Sequence, residues 1–285
     1  MAKLTYGLIG HPVEHSLSPA MHNSAFKTLN IDAEYRLFNV EPEGLEPFLK
    51  DLAKNKISGA NVTIPHKVKA KEYIERKGIL NEHAEKLGAV NTIKVEDGKL
   101  KGFNTDGPGF YRSLVEDLKF EPEGKVIFVL GAGGAARAII MYLGNAPKKI
   151  FVTDIDNCMT KELKRHYEKY YNWHKLIAIE KGDVKESLGE SDLLIQATPI
   201  GMKDGDPSPI DIELLHPGMR VYDLVYNRPM TKLVEGATRK KLHAMTGLGM
   251  LLYQGAIAFE LWTGKKAPVD VMRKALKEAL KGRRG

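Results

Sequence analysis

Cysteine is almost missing from this sequence, and so are long apolar runs. Cys158 is the only cysteine among 285 residues, which excludes an internal disulfide, and a lone thiol is typical of a reducing compartment. No segment reaches the roughly 20 apolar residues that a membrane helix needs. Residues 1–7 carry no pattern of a cleaved signal. We therefore expect a soluble cytoplasmic protein with no membrane partner.

Concentrated charge of one sign is also missing. The chain has 43 Lys and Arg against 36 Asp and Glu, a formal net charge of +7. The basic residues are scattered, apart from residues 67–71 and the tail at 281–284, and no basic stripe alternates with aromatic residues. Nucleic-acid sites usually need such a stripe. The pattern favours solvated faces and no nucleic-acid partner.

The histidines near the N-terminus do not have the spacing of a metal site. His11, His15 and His22 are close in sequence, but Pro12 and Pro19 interrupt any single helix that would place them on one face. We therefore expect no metal site.

Strands and helices alternate along most of the chain. Strands are predicted at 4–10, 34–40 and 58–64, with helices at about 18–29, 45–56 and 65–77 between and after them. The alternation resumes from 125 to about 225, and helices follow at 249–262 and 269–280. This order predicts an α/β fold with largely parallel sheets covered by helices.

A hairpin is predicted around Asp97-Gly98, because this dipeptide lies between two strand-like segments, 89–95 and 99–105. The two-residue turn places Asn91 opposite Asn104. Side chains alternate along a strand with a period of two. Asn91, Asn104 and Asp106 should therefore project on one side of the hairpin. Three polar side chains together favour a functional site over a hydrophobic core.

A dinucleotide site is predicted at residues 131–136, with the sequence Gly-Ala-Gly-Gly-Ala-Ala. The run follows an apolar strand and precedes a helix, as in the dinucleotide fingerprint, whose helix N-terminus binds the pyrophosphate. A second strand ends at Asp154. An acid there accepts hydrogen bonds from ribose hydroxyls and repels a 2′-phosphate, which predicts NAD over NADP. The alternatives are a plain glycine turn and a helix cap at Asp154.

Two further segments carry candidate polar groups. Ser18-Pro19 is predicted to cap and open a helix, which leaves Ser16 free to reach a carboxylate ligand. Pro65 is predicted to start a helix that holds Lys67 in its first turn. The helix dipole and the neighbouring lysines favour proton release from Lys67, as a general acid requires. The alternative is a solvated lysine.

Along nearly its whole length the sequence resembles the shikimate dehydrogenase family. The resemblance is carried by Ser16-Leu-Ser-Pro19, Asn61-Val-Thr-Ile-Pro-His-Lys67, Ala89-Val-Asn-Thr92, Asn104-Thr-Asp-Gly107, Gly131-Ala-Gly-Gly-Ala-Ala-Arg137, Ala197-Thr198, Gly201-Met202, Tyr222-Asp-Leu-Val-Tyr226 and Gly247-Leu-Gly-Met-Leu-Leu-Tyr-Gln254. Order and spacing together make the pattern specific, whereas no single motif is.

The resemblance implies a reaction and a set of roles. The reaction is the reversible reduction of 3-dehydroshikimate to shikimate with a nicotinamide dinucleotide, in aromatic amino acid biosynthesis. The implied catalytic pair is Lys67 and Asp106. The implied substrate-binding residues are Ser16, Ser18, Thr63, Asn91, Tyr226 and Gln254. The implied cofactor residues are Gly131, Ala132, Gly133, Gly134, Ala135, Asp154, Thr198, Leu224, Gly247 and Met250.

The resemblance also implies two domains with a cleft between them. Residues 1–106 and 248–285 would form the substrate-binding and catalytic domain, with a mainly parallel sheet. Residues 107–247 would form a Rossmann-like dinucleotide-binding domain. We expect a monomer or a homodimer, a choice that the sequence leaves open.

Two departures from the family pattern bear on specificity. Asp154-Ile155-Asp156 replaces the Asn-Arg-Thr of NADP-using members, so the 2′-phosphate clamp is missing, although NADP is the family default and stays possible. NAD-using relatives often oxidise quinate, and Ser18 argues that shikimate is still accepted. Gln196 replaces an Asn, with a small expected effect. The alternatives are a quinate/shikimate dehydrogenase and a non-catalytic regulator that binds these acids.

Overall fold

A computed structural model describes residues 3–282 as two compact units. The first unit comprises the chain up to Gly109 and from Leu252 onward, and the second comprises Phe110–Leu251. The limits predicted from the sequence were 1–106 with 248–285, and 107–247, and the role given to each domain stays a prediction. Two arginines of the basic tail, Arg283 and Arg284, lie outside the described residues.

The first unit is built on a mixed sheet. Its elements up to the second unit are β1 (Leu4–Gly10), α1 (Ser18–Thr28), β2 (Ala33–Asn39), α2 (Leu45–Lys50), β3 (Ile57–Val62), α3 (Lys67–Lys77), β4 (Ile79–Leu80), α4 (Glu82–Leu87), β5 (Thr92–Glu96) and β6 (Lys99–Phe103). Helix α5 (Asp106–Glu116) begins in the first unit and continues into the second. The strand order is β2-β1-β3-β5-β6-β4. β1 is parallel to β2 and β3, and β4 is parallel to β6, whereas β5 is antiparallel to β3 and β6.

Burial explains why this sheet forms. β3 is buried almost throughout, and α2 and α3 contribute Leu49, Ala70 and Ile74 to a core that includes Ile9 and Ile93. Successive side chains of a strand point to opposite faces, so the consecutive buried residues of β1 and β3 show that both faces of these strands are covered.

The second unit is a fully parallel sheet with helices between its strands. Its elements are β7 (Val126–Leu130), α6 (Gly134–Leu143), β8 (Lys149–Thr153), α7 (Asn157–Tyr167), β9 (Leu176–Ala178), α8 (Val184–Gly189), β10 (Leu193–Gln196), β11 (Arg220–Asp223), α9 (Lys232–Arg239) and β12 (Ala244–Thr246). The order β12-β11-β10-β7-β8-β9 reverses direction between β7 and β10. This is the doubly wound order of dinucleotide-binding folds, which bind ligands at that reversal point. The predicted α/β class is confirmed.

Two helices end the described chain, α10 (Leu248–Thr263) and α11 (Val269–Gly282). α11 packs on α1 in the first unit. In the same unit, the indole of Trp262 donates a hydrogen bond to the carbonyl of Ile93 at 2.9 Å. A Cβ at Gly59 would lie only 2.6 Å from this indole nitrogen, so β3 needs glycine there. No helix within residues 3–282 is long and apolar enough to cross a membrane.

The hairpin prediction is confirmed, and two predicted helices are present with one boundary wrong in each. β5 and β6 pair with Glu96 opposite Lys99, the register that the Asp97-Gly98 turn predicts. The predicted helix 45–56 ends at Lys50, because residues 51–56 form turns that reverse the chain into β3, with Lys56 at a φ of 57°. Pro65 does not start a helix.

The turn before α3 explains the second error. The amide of His66 donates to the carbonyl of Thr63 at 2.9 Å, which closes a turn around Pro65. The first helical hydrogen bond then runs from Ala70 to His66. α3 therefore begins at Lys67, which keeps this residue in the first turn as predicted.

Candidate active site

An ion pair joins the start of α3 to the start of α5. The Nζ atom of Lys67 lies 2.6 Å from Oδ2 of Asp106, and the side chains are 31% and 12% exposed. The residues are 39 positions apart in sequence, so only the fold brings them together. A partly exposed ammonium beside a carboxylate can exchange a proton with a substrate oxygen that comes within hydrogen-bond distance.

Asn91 holds the other oxygen of this carboxylate. Its Nδ2 donates to Asp106 Oδ1 at 2.8 Å. The predicted gathering of polar groups beyond the hairpin is thus present for these two residues. The third member, Asn104, turns its amide to the backbone: its Oδ1 accepts the amide of Asp106, and its Nδ2 donates to the carbonyl of Ala89. Asn104 therefore shapes the start of α5.

The capping role predicted for Ser18 is wrong, whereas the substrate-binding roles of Ser16 and Ser18 stay predictions. Ser18 is the first residue of α1 and makes no capping bond, and the preceding Leu17 is the N-cap. Instead, Oγ of Ser16 accepts the amide of Ser18 at 3.2 Å. Ser18 is buried, and its side chain forms a hydrogen bond with Tyr35. Pro19, the second residue of α1, has no amide proton. The amide available to the Ser16 hydroxyl is therefore that of Ser18.

Two more predicted substrate residues lie in the first unit. Thr63 follows β3 and is half-buried, and its amide donates to the carbonyl of Ile9 at 2.9 Å. Gln254 is buried on α10, where a Cβ at Gly109 would lie 2.5 Å from its backbone nitrogen. The glycine therefore permits the close approach of α5 and α10. A binding role for Thr63 and Gln254 stays a prediction.

Sequence reasoning missed three buried polar residues beside this group: Tyr35 on β2, Asn61 on β3 and Thr92 on β5. The hydroxyl of Tyr35 donates to Asn61 Oδ1 at 2.8 Å, and Asn61 Nδ2 donates to Thr92 Oγ1 at 3.0 Å. A polar residue within an apolar strand was the available signal, since buried polar groups need partners.

The glycine loop of the second unit has the shape of a phosphate cradle. Gly131 has a φ of 107°, and a Cβ there would lie 2.9 Å from the carbonyl of Ala197, so only glycine fits. Gly133 is the N-cap of α6, and α6 begins at Gly134. No atom lies within 4 Å of a Cβ built at Gly133 or Gly134, so this side of the loop is open to a ligand. The first-turn amides of α6, including that of Ala135, suit a pyrophosphate.

Asp154 is fixed against this loop. Its Oδ2 accepts the amide of Ala132 at 2.7 Å, and its Oδ1 accepts the amide of Asp156 at 3.0 Å. The cap of α7 is Asp156, whose side chain accepts the amide of Cys158. The alternative that Asp154 caps the next helix is therefore wrong. Each carboxylate oxygen keeps a second lone pair for a ribose hydroxyl.

Gln196 organises the loop across the reversal point. It is buried at the end of β10, and its amide donates to the carbonyls of Thr198 and Ile200 at 3.1 and 2.8 Å. Its Oε1 accepts the amide of Thr198 at 2.6 Å. Thr198 in turn packs close to Gly131. The residue that departs from the family pattern is thus the one that shapes this loop.

A second close approach joins Leu224 and Gly247. A Cβ at Gly247 would clash with the carbonyl of Leu224, and the amide of Gly247 donates to the carbonyl of Val225 at 3.0 Å. The carboxyl of Asp223, whose pKa is raised by burial, accepts hydrogen bonds from Val225 and Thr231 and so fixes this segment.

The remaining predicted residues of the second unit are Met250 and Tyr226. Met250 donates its amide to the hydroxyl of Tyr222 at 3.1 Å. Tyr226 is 38% exposed and belongs to the second unit, apart in the chain from the other predicted substrate residues.

The three N-terminal histidines have separate surroundings. His11 Nδ1 lies 2.9 Å from Asn39 Oδ1, whereas His22 is buried among aromatic rings. Across residues 3–282, no group of three or more His, Cys, Asp and Glu side chains could hold a metal ion.

Comparison with known proteins identifies the family. A model of the shikimate dehydrogenase substrate binding domain matches residues 8–93, and a model of the shikimate 5′-dehydrogenase C-terminal domain matches residues 247–277. A shikimate dehydrogenase (NADP⁺) of Methanopyrus kandleri is 45% identical over 282 residues, which cover 96% of this chain and 95% of the relative.

The chain belongs to the shikimate dehydrogenase family. It is an oxidoreductase of that family, as the sequence predicted.

Solved structures of the family agree in fold. Shikimate 5-dehydrogenase from Listeria monocytogenes, in complex with shikimate and NAD, is 33% identical with a TM-score of 0.88, and the match covers 96% of each chain. Quinate dehydrogenase from Corynebacterium glutamicum, in complex with NAD, is 25% identical with a TM-score of 0.89, and the match covers 97% of this chain and 99% of that one.

The residues of the second unit fit the dinucleotide of these family members. The open face at Gly133 and Gly134 leaves room for phosphates, and the Asp154 carboxylate is held next to the loop. The family's relatives differ in cofactor, since the Methanopyrus protein is named for NADP⁺ and the Listeria structure holds NAD.

Proposed function

We propose that the protein interconverts 3-dehydroshikimate and shikimate and prefers NAD over NADP. The observation that carries the first part is the contact between Lys67 and Asp106 at 2.6 Å. Carbonyl reduction needs a hydride donor and a proton donor at the oxygen. The bound dinucleotide supplies the hydride, and an ammonium–carboxylate pair supplies the proton.

Lys67 and Asp106 act as a proton-transfer pair in this proposal. In the direction of reduction, the Lys67 ammonium gives a proton to the carbonyl oxygen as that oxygen gains negative charge. In the direction of oxidation, the pair takes the hydroxyl proton. Asp106 keeps Lys67 in place, and Asn91 keeps Asp106 in place through its bond at 2.8 Å. A prealigned donor of this kind stabilises charge as it develops.

The substrate carboxylate is proposed to bind at Ser16 and Ser18. Hydroxyls near the first amides of a helix are suited to an anion. Ser16 accepts a backbone amide with one lone pair and keeps its own proton to donate. Thr63, Gln254 and Tyr226 are proposed to complete substrate binding.

The NAD preference is proposed on the charge at the end of β8. Asp154 is anchored by two backbone amides, so its negative charge cannot swing away from a 2′-phosphate. Arg137, the first basic residue after the glycine loop, has its guanidinium 2.8 Å from Glu162 and is committed to that ion pair. Ile155, between the two acids, is 89% exposed and offers an apolar surface to an adenine ring.

Quinate is the second candidate substrate, because the quinate dehydrogenase of Corynebacterium glutamicum has the same fold and binds NAD. Quinate shares the carboxylate and ring hydroxyls that Ser16, Ser18 and the Lys67–Asp106 pair are proposed to bind. A dual enzyme would accept both acids.

One absorbance assay tests these proposals. It measures kcat/KM at the reduced-nicotinamide band for shikimate and quinate, each with NAD and NADP. We expect shikimate with NAD to give the highest value. A higher value with NADP would overturn the interpretation of Asp154, and comparable values for the two acids would establish the dual enzyme.

Cell compartment and assembly state are also proposals. The cytoplasm is proposed because the only cysteine, Cys158, is exposed and unpaired, which suits a reducing compartment. A monomer or a homodimer is proposed, and size-exclusion chromatography with light scattering distinguishes them.

A further inference from the structure

Five buried side chains form a continuous row from β2 to the start of α5, which we call the polar row: Tyr35, Asn61, Thr92, Asn91 and Asp106. Taken as whole residues, all five are at most 9% exposed. Tyr35 Oη donates to Asn61 Oδ1 at 2.8 Å, Asn61 Nδ2 donates to Thr92 Oγ1 at 3.0 Å, and Thr92 Oγ1 donates to Asn91 Oδ1 at 2.9 Å. Asn91 Nδ2 then donates to Asp106 Oδ1 at 2.8 Å.

The donors of the polar row all point the same way. Its last bond reaches the Asp106 oxygen that Lys67 does not use, since Lys67 contacts Oδ2. Backbone groups fix both amides. The amide of Thr105 donates to Asn91 Oδ1 at 2.8 Å, and the carbonyl of Asn91 accepts Asn61 Nδ2 at 3.3 Å. A carbonyl can only accept and an N–H can only donate, so neither Asn can be turned over without losing bonds.

The other end of the row touches a predicted substrate residue. Burial raises the pKa of the Tyr35 phenol, and a side-chain hydrogen bond with Ser18 lowers it by a smaller amount. The ring of Tyr35 is held by stacking on His22, with centroids 4.4 Å apart and planes 8° from parallel. The Tyr35 hydroxyl is thus fixed between Ser18 and Asn61.

We propose that Tyr35 is a positioning residue that fixes Ser18 on one side and, through the polar row, the carboxylate of Asp106 on the other. This inference deepens the proposed function and rests on it. Bonds aligned in one direction polarise one another in a low-dielectric interior. Losing the first donor leaves the acceptor of Asn61 unpaired, which loosens the row as far as Asp106.

Tyr35→Phe removes only the hydroxyl and keeps the stacked ring. We expect kcat for shikimate to fall about tenfold and KM for shikimate to rise about fivefold, the scale of losing one buried hydrogen bond at each end. KM for the dinucleotide should not change. The matched control is Tyr6→Phe, because Tyr6 is buried in the same aromatic cluster, stacked on Phe26 and Trp262, and is not part of the row.

Thr92→Val separates the two effects, because it interrupts the row between Tyr35 and Asp106. In the Thr92→Val background, Tyr35→Phe should no longer lower kcat but should still raise KM through Ser18. Thr92→Ser, which keeps the hydroxyl, should restore most of the kcat lost in the Thr92→Val variant. Circular dichroism and thermal unfolding confirm that each variant is folded.

Two results would overturn the proposal. One is a loss of kcat from Tyr35→Phe that is equally large in the wild-type background and in the Thr92→Val background, because the effect would then not pass along the row. The other is the same kinetic change from Tyr6→Phe, because a general loss of packing would then explain it.

A substrate-free measurement separates this inference from the proposed function. Trace acetylation of the ligand-free protein, followed by mass spectrometry, compares the reactivity of Lys67 with that of Lys71, which pairs with Glu75 at 2.7 Å on the same helix. A loosened Asp106 leaves Lys67 unpaired more often, so Tyr35→Phe should raise its relative labelling severalfold. If the wild type does not turn over shikimate, the proposed function fails, and the labelling alone decides on the row. Unchanged labelling would then reject it.

Discussion

Lys67 lies where two local effects oppose each other. As the first residue of α3 it is at the positive end of the helix dipole, which disfavours a cation. Its contact with Asp106 at 2.6 Å favours the cation. The amine is therefore kept at a defined place by the carboxylate, and not by its own helix. A lysine that exchanges protons with a substrate needs such a fixed partner.

Lys67→Met tests this assignment. Methionine keeps much of the length and volume but removes the proton, so kcat for shikimate should fall on the order of 10²-fold or more while shikimate still binds. Lys71→Met is the control, because Lys71 is on the same helix and pairs with Glu75. Steady-state kinetics and calorimetric binding are the measurements. Activity of Lys67→Met at the level of Lys71→Met would disprove the role.

His22 predicts how stability depends on pH. Its ring lies among Phe26, Tyr35 and Trp262, and neither ring nitrogen has a hydrogen-bond partner. Burial lowers the pKa of His22 from 6.5 to about 3. Between these values the unfolded chain binds a proton that the folded protein does not. The contribution of His22 is therefore fully present above about pH 6.5 and is lost as the pH falls, by at most about 1.4 kcal/mol per pH unit.

His22→Phe should remove this pH dependence while keeping a ring in the cluster. We measure the free energy of unfolding with urea between about pH 4 and 6.5. Its dependence on pH should be weaker in His22→Phe than in the wild type, by up to about 1.4 kcal/mol per pH unit, which corresponds to one proton. His15→Phe is the control, because His15 is exposed. An unchanged slope in His22→Phe would mean that the buried imidazole is protonated in the folded protein.

The loop between β7 and α6 shows that glycines serve two purposes within one element. Gly131 is required by the backbone, since its φ is 107° and the carbonyl of Ala197 is too close for a side chain. Gly133 has a φ of −70°, and a Cβ at this position would have no atom within 4 Å, so the fold itself does not require glycine there. The missing side chain at Gly133 therefore leaves space for a ligand and is not needed for folding.

Substituting alanine at the two positions should separate folding from binding. Gly131→Ala should lower the free energy of unfolding by about 1–3 kcal/mol and weaken dinucleotide binding as well. Gly133→Ala should leave stability within about 0.5 kcal/mol and still weaken dinucleotide binding, because the methyl group occupies the open side. Urea unfolding and fluorescence titration with NAD measure both. Equal loss of stability in the two variants would contradict this division.

The elements also show where local sequence rules succeed. The hairpin of β5 and β6 depends on a two-residue turn and neighbouring strands, so Asp97-Gly98 was enough to give its register. At the start of α1, the three-dimensional arrangement of the backbone decides which side chain accepts a hydrogen bond from which amide. The cap rule therefore chose Ser18, whereas Ser16 makes the bond.

At the scale of the whole protein, the charge of +7 is not expected to form a nucleic-acid site. Many basic side chains are paired with acids, including Lys67 with Asp106, Arg112 with Glu116 and Arg137 with Glu162. We expect a titration with labelled duplex DNA at about 150 mM salt to give no saturable binding. Binding that weakens steeply with salt would contradict the interpretation of these faces as solvated.

The α/β class, the hairpin, the glycine loop and the family could all be predicted from the amino-acid sequence, because each depends on periodicity or on short motifs. The same motifs singled out Lys67, Asp106 and Asn91. Only the folded chain shows which of these side chains meet, and it adds Tyr35, Asn61 and Thr92. Hydrogen bonds between β2, β3, β5 and α5 join residues up to 31 positions apart. No local pattern specifies such bonds, because each donor finds its acceptor only after the strands have paired.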